Sequence, residues 1–419
     1  MGNEPKTGSI CERRSAKTSR SFNAIASKDG GRRGSIIKKI LIICLISIVV
    51  CLTGCWDRTE INDNAFVVTS GIDKAGNKKY RYTVQVPLPS SMGGAGSSGG
   101  GGGTSGEGPV LIAQGTGKNI RESMEDVQLR LSRKLYFAHR RVLVIGEDLA
   151  KEGISKSLRA VVIQPESRLS TLLLISKGDA IQVLKAQPRM EQYSGEALRE
   201  MAKAMANKTV KDTLIDLDRP GKDPVIPFVN VTGLIKEDKK GKELEIEKFA
   251  VFKGDKVSFI TNIEETQGIL WLLEKMKKKS FTFSVSKDNE MTINILENQV
   301  KPQFTGNGAY PSFHLKVRVT GILIENEANL RIEDPKTYQL VKRKMEQEIK
   351  RNIQSVIKHS HSKGADIVGF GWHLYKTRHQ KWQEQWKNDW EQRLPHVDVS
   401  VDVDADIQRT TNSGEWKKE

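Results

Sequence analysis

The stretch LTGCWDRTEI, residues 52 to 61, divides this chain into a leader and a delivered protein, and every expectation about the fold starts from that division. Upstream of it lies an apolar run of thirteen residues, ILIICLISIVVCL from Ile40 to Leu52, preceded by the basic RRGSIIKK. Basic then apolar is the order of a secretory leader. Thirteen helical residues rise about 20 Å against a hydrocarbon core of roughly 30 Å. Trp56, Asp57, Arg58 and Glu60 end the apolar sequence just past Cys55. A cleaved signal is therefore expected rather than a membrane span. The small pair Thr53 and Gly54, between Leu52 and Cys55, has the pattern of a lipobox: small residues admit the backbone to a signal peptidase, and a thiol accepts a diacylglyceryl group. Cys55 is the expected lipidation site, with Leu52, Thr53 and Gly54 read by the peptidase. The mature protein would begin at Cys55 carrying two acyl chains. One chain gives marginal binding, whereas two give stable anchoring at about 0.8 kcal/mol per buried methylene. Apart from that covalent lipid no cofactor is expected.

Charge and cysteine usage fit this division. The net charge is 67 − 51 = +16, of which residues 1–39 supply +7 through ten Lys or Arg and three Asp or Glu. The remaining +9, spread over the exported part, suits a place near anionic lipid and is too diffuse for nucleic acid. Cys11, Cys44 and Cys51 all precede the cleavage point, so the mature chain keeps no thiol except Cys55. It must be held by its hydrophobic cores, which its length allows.

Along the mature chain, AFVVTSGID and KYRYTVQVPL around a turn at 74–77 read as a hairpin. The glycine-rich 90–108 reads as a flexible loop: no Lys-Ser/Thr follows, so it is not a phosphate cradle. Asn119 with Glu122 predicts a capped helix through Leu131, then a strand from Arg141, a helix from Leu149 to Val162 and a strand from Thr171. Helices at 179–186 and 194–205 complete this part. Prolines at 220, 224 and 227 with Gly221 mark a boundary within 207–227 that few helical residues could occupy. Strands at 227–235, 244–252 and 257–260, a helix at 264–279 and strands at 281–285 and 291–297 follow. Beyond Lys301 and Pro302 the pattern restarts with a long alternating strand, SFHLKVRVTGILIE. A helix then starts at Asp334 and Pro335 and runs to about Ile357. A further helix carries Trp382, Trp386 and Trp390, and VDVSVDVDADI closes the chain as a strand with valines inward and aspartates outward.

Several separated blocks, in order, resemble the C subunit of nutrient germinant receptors, the Ger(x)C spore germination lipoproteins. They are GCWDRTEI with GID, LSRKLYFAHRRVLVIGEDLAKEGI at 131–154, QPESRLST at 164–171, and ADIVGFG at 365–371 followed by the tryptophan segment. The resemblance covers nearly all of Cys55 to Gly414, although the glycine tract and the leader are longer than the family pattern. It implies an α+β protein of three mixed α/β domains on largely antiparallel sheets, after a cleaved lipoprotein signal peptide. Laid on the elements above, this gives a basic leader and signal peptide at 1–54 and an N-terminal α/β domain at 55–210 with a disordered Gly/Ser loop at 90–108. A middle β-rich domain at 211–300 and a C-terminal α/β domain at 301–419 follow. The resemblance also implies a non-catalytic subunit, lipid-anchored on the outer face of the spore inner membrane and associated with the integral membrane A and B subunits.

Other residues invite functional readings. His359 and His361, with His373 and His379 nearby, could suggest a metal, but their place after a helix end among serines and a lysine favours solvated side chains. Asp398, Asp402, Asp404 and Asp406 suit an outer face that discourages strand addition better than a calcium loop. Trp382, Trp386 and Trp390 could contact a partner, although aromatic residues at helical spacing commonly pack inward. Arg133, His139, Arg140 and Arg168 are read as hydrogen-bonding groups between helix and sheet. No GxSxG, HExxH or available thiol supports catalysis. The rival readings are an extracytoplasmic solute-binding lipoprotein, which would favour two lobes on parallel sheets, and an enzyme acting on cortex peptidoglycan.

Overall fold

Two runs without a polar residue, 142–145 and 172–175, form the centre of the fold, each buried along its whole length. Such strands need cover on both faces, and their place in the sheet follows from that. The computed structural model describes residues 30–51, 60–76, 79–88, 109–164, 166–234, 242–287, 289–306, 310–327 and 329–408. Leu52 to Gly54, Cys55, Trp56 and the glycine tract 90–108 lie outside them. The chain forms two units, Met1–Ile61 and Asn62–Glu419.

The first unit carries α1 (Gly30–Cys51), which starts well before the apolar run. No helix among the described residues is long and apolar enough to cross a membrane.

In the second unit β1 (Asn64–Phe66), β2 (Thr69–Ala75), β3 (Lys79–Pro87) and β4 (Val110–Gly117) precede α2 (Ile120–Gln128). Next come β5 (Lys134–Tyr136), β6 (Val142–Gly146), α3 (Glu147–Glu152), α4 (Ser155–Val162) and β7 (Leu172–Ser176). Then follow α5 (Ala180–Leu184), α6 (Ser194–Met205), α7 (Val210–Asp218), β8 (Val225–Thr232), β9 (Glu243–Lys253) and β10 (Lys256–Ile260). These build an eight-stranded sheet in the order β10-β9-β8-β7-β6-β2-β3-β4, while β1 and β5 pair separately in parallel. The sheet is mixed. Its outer pairs are antiparallel, as expected, but the central strands β2, β6, β7 and β8 run parallel to one another. That centre lies between helices on both faces, where continuous apolar strands belong. Ile120, Met124 and Val127 of α2, Leu149 of α3 and Leu158 of α4 cover one face, and Val183 of α5 with Ala197 and Leu198 of α6 cover the other.

The rest of the unit contains α8 (Ile263–Leu272), β11 (Ser280–Ser286), β12 (Asn289–Phe304), β13 (Ser312–Asn326) and α9 (Pro335–Ser362). Short helices α10 (Phe370–Thr377), α11 (His379–Lys381) and α12 (Trp390–Arg393) lead to β14 (Asp398–Gln408). The strands form a second sheet, β11-β12-β13-β14, antiparallel except that β14 joins β13 in parallel. Val341, Met345, Ile349, Ile353 and Val356 make one buried stripe along α9, each worth about 1.5–3 kcal/mol for burial. Segment 211–300 is shared between the sheets: α7, β8, β9 and β10 go to the first, and β11 and β12 to the second.

Several elements differ from the sequence expectation for identifiable reasons. Stretch 207–227 holds α7, started by a capping box in which Thr209 Oγ1 accepts from Asp212 N and the Asp212 carboxylate accepts from Thr209 N. Pro227 lies inside β8, but the β7 ladder begins only at Phe228, so its missing N–H costs no bond to β7. Likewise Pro302 lies inside β12, beyond the reach of β11. The helix expected over 149–162 is broken at Gly153, whose φ is +132°. The helix expected to reach Lys279 stops at Leu272. Strand β4 was hidden by its glycines, which it needs: a β-carbon on Gly115 would sit 2.4 Å from the Ser123 carbonyl oxygen of α2. Asn119 does cap α2, accepting from Glu122 N at 2.9 Å, but Glu122 answers on Lys118 N at 2.7 Å, one residue early, and α2 ends before Leu131.

Candidate functional site

Three stretches converge where the two sheets adjoin: the turn RPGKDP at 219–224, the block ADIVGFG at 365–371, and the tryptophan segment. Asp366 is fully buried. Its Oδ1 accepts from Gly369 N at 2.7 Å and Phe370 N at 3.0 Å, and its Oδ2 from Gly371 N at 2.9 Å and the Trp390 indole at 3.0 Å. Four N–H donors thus stand in for the water a carboxylate would otherwise hold. Asp223 closes the joint from the other side. Its carboxylate accepts from Asp366 N and Gly254 N, both at 2.6 Å, while its own N–H donates to the Asp366 carbonyl at 2.9 Å. Lys222 donates to the Ile367 carbonyl. Burial raises the Asp223 carboxyl to about 6 and pulls the Lys222 ammonium below its ordinary value. Between the two loops Gly221 faces Gly371, backbone against backbone.

A second buried acid ties the GID block to the large sheet. Asp73, at the end of β2, accepts from Ala180 N at 2.6 Å and Ile181 N at 3.3 Å and so closes the first turn of α5. Burial raises its carboxyl to about 6, with the neighbouring Asp179 adding to the shift and the two backbone N–H groups opposing it. Since the folded value lies above the unfolded one of about 3.9, the fold holds the proton more tightly. The stability this provides is complete below pH 4 and is lost as pH rises through 6. Asp73→Asn cannot titrate. Its stability relative to wild type, measured by urea unfolding, is expected to improve by about 2–3 kcal/mol between pH 4 and pH 7; a difference independent of pH would contradict this assignment.

Blocks 131–154 and 164–171 also meet. Arg140 is buried and donates to the Tyr82 hydroxyl at 3.1 Å and the Ser167 hydroxyl at 2.8 Å, while Thr171 donates to the carbonyls of Arg140 and Arg168. Arg140 is therefore a buried hydrogen-bonding group, as expected, but it joins β3 to the loop between α4 and β7 rather than a helix to the sheet. Arg133, His139 and Arg168 are exposed instead.

The blocks that organise the fold are also those that relate it to known proteins. Residues 57–231 match the family described as spore germination protein N-terminal domain, and residues 247–411 match spore germination B3/GerAC like, C-terminal. The YfkR protein of Bacillus subtilis (strain 168) is 30% identical over 370 residues, which span 87% of this chain and 95% of that one. The chain belongs to the Ger(x)C, GerAC-like family of spore germination proteins. Spore germination protein KC of the same organism is 27% identical over 403 residues, covering 89% of this chain and 96% of its own. The crystal structure of the GerBC protein aligns with a TM-score of 0.50 and 19% identity, over 81% of this chain and 96% of that one, and shows the shared fold. The junction between the two Ger(x)C segments falls at the β8–β9 pair, inside the large sheet.

Against this Ger(x)C frame the remaining sequence-predicted residues find their places. The expected lipidation site Cys55 and the expected lipobox residues Leu52, Thr53 and Gly54 lie outside the described residues. Trp382, Trp386 and Trp390 do not share one helix: Trp382–Trp386 is a π-helical turn and Trp390 opens α12. All three are buried, Trp386 beside Phe304 and Trp382 against Trp390, which is the placement of core, although Trp382 and Trp390 also line a hollow of about 330 Å³ with Lys222 and Asp223. His359 and His361 lie within the last turn of α9, not after it. His359 pairs with Glu265 at 2.7 Å and stacks on Phe259, whereas His361 is buried and pulled below its ordinary pKa by desolvation. No three His, Cys, Asp or Glu side chains converge as metal ligands among the described residues. Of the aspartates on β14, Asp404 pairs with Lys342 and Asp406 accepts from the Tyr338 hydroxyl. A pocket of about 670 Å³ between α2 and α4 is lined by Tyr80, Lys118, Ile120, Met124, Lys156 and Ile163 among others, with no acid, histidine or thiol in its wall.

Sequence reasoning missed the Asp366 joint. By sequence alone 219–224 signals only a break and ADIVGFG only a block, because what joins them is a hydrogen bond across 143 residues of separation. The signal that could have found it is a Gly and an Asp in both stretches.

Proposed function

We propose that this chain is the C subunit of a nutrient germinant receptor: a non-catalytic lipoprotein held by a diacylglyceryl group on Cys55 at the outer face of the spore inner membrane and associated with the integral membrane A and B subunits. The observation that carries the reading is the position of the family match. It starts at residue 57, two residues after the lipobox cysteine, and runs to 411. A lipid anchor at Cys55 would thus hand over directly to the family fold. Support for a non-catalytic role comes from the use of the buried acids, since Asp73 and Asp366 each bind backbone N–H groups inside the fold and neither opens onto the 670 Å³ pocket.

Deleting the chain in a strain with no redundant receptor is expected to abolish nutrient-triggered germination, with recovery on complementation. Unchanged germination would contradict the reading. Titration of the purified chain with germinant amino acids and sugars tests the solute-binding rival, for which tight, saturable binding is the expected result.

A further inference from the structure

The segment LRLSRKLYFAHRR, residues 129–141, holds five Lys or Arg and no acid. It forms β5, the partner of β1, which is the first strand after the lipobox. Just beyond β5 the chain enters a concave site of about 320 Å³ lined by His139, Arg140, Arg141, Arg168, Arg199 and Lys203, with no acidic residue in its wall. Arg199 is shared with Glu196 and Glu200, and Lys203 with Glu200. Arg141 and Arg168 are exposed and have no carboxylate partner among the described residues. Arg140 is 1% exposed, its Nε has no hydrogen-bond partner, its two other nitrogens bond to neutral hydroxyls and its guanidinium lies 5.5 Å over the Phe137 ring, so a fixed positive charge without a carboxylate partner among the described residues stands at the wall of the site. Forked guanidinium groups around such a hollow suit the oxygens of a phosphate.

The location narrows the source of that phosphate. His139 packs edge-on against Phe66 of β1, with ring centroids 5.1 Å apart. Phe66 follows Cys55 by eleven residues in the sequence, a short tether between the proposed anchor and the strand that carries Phe66. Leu129, at the head of the basic segment, is 84% exposed, an apolar side chain of the kind that settles at a lipid interface beside cations. We infer that the Arg140–Arg141–Arg168 hollow binds the phosphate of an anionic phospholipid headgroup and lays the β1–β5 face of the protein on the membrane. The inference rests on the lipid-anchor reading for its choice of lipid as the source of phosphate.

The test uses the full chain purified from membranes in neutral detergent. It is titrated with short-chain phosphatidylglycerol, with the matching phosphatidylcholine and with inorganic phosphate, while amide hydrogen exchange is followed across 134–142 and 168–172. Saturable protection by phosphatidylglycerol is expected, with the other two at least tenfold weaker. Arg141→Glu with Arg168→Glu should weaken it at least tenfold while leaving the unfolding midpoint unchanged, and Lys301→Glu, on the distant β12, should leave it intact. Equal protection by phosphatidylcholine, or none by any of the three, overturns the inference. Inorganic phosphate acting as well as phosphatidylglycerol would keep an anion site and overturn the headgroup. Because binding is read in solution, it does not depend on acylation; an unmodified Cys55 in the same sample would sink the anchor reading separately.

Discussion

Gly221→Ala is expected to lower the stability of the second unit by about 2–5 kcal/mol, a large share of the roughly 5–15 kcal/mol that holds an ordinary protein folded. Two costs add. At φ +63° Gly221 has a left-handed backbone that an alanine adopts at about 1–2 kcal/mol. A β-carbon there would also lie 2.6 Å from the Gly371 Cα and 2.9 Å from the Trp382 ring, and overpacking a well-filled core costs about 1–3 kcal/mol. Two controls separate them. Gly254 has φ +58° and open space around it, so Gly254→Ala carries the backbone cost alone. Gly371 lies in the first turn of α10 without a positive φ, and a β-carbon on it would lie 2.7 Å from the Gly221 Cα and 2.8 Å from the Trp390 indole nitrogen. Gly371→Ala therefore carries the steric cost alone. Urea unfolding should order the variants Gly254→Ala mildest, Gly371→Ala intermediate and Gly221→Ala most severe. Equal effects at Gly221 and Gly254 would mean that the loops yield and that the joint is not close-packed.

The joint also shows where sequence legibility ends. Alternation placed β13 and β14, and the Asp334–Pro335 start placed α9, because each signal is local and each element buries one face. The buried runs 142–145 and 172–175 were legible as strands but not as parallel ones, since pairing direction depends on where the chain returns after a helix. Helix α7 was lost because the prolines after it outweighed Thr209 and Asp212 at its start. The tryptophans are legible as a periodic set, yet the π-helical turn that carries Trp382 and Trp386 and the separate start of α12 at Trp390 belong to packing in the core around Phe370. Asp366 carries no periodic signal at all. Its four donors come from the next turn of chain and from a side chain 24 residues on, so only the fold discloses its role.

The second large effect is expected at the anchor. Alanine at 55 has no sulfur to form the proposed thioether, so on the lipoprotein reading Cys55→Ala removes both acyl chains at once. At about 0.8 kcal/mol per buried methylene no surface contact of a basic patch replaces them. In a strain with no redundant receptor, nutrient-triggered germination should fall at least tenfold even though the fold, which the family match begins at residue 57, is untouched. Unchanged germination in that strain would remove the anchor from the account of function.

The most direct measurement of the central claim is the mass of the amino-terminal peptide of the chain isolated from spore membranes. The account predicts a peptide beginning at Cys55 and carrying a diacylglyceryl group on its sulfur. A peptide that begins upstream, or an unmodified Cys55, would contradict it.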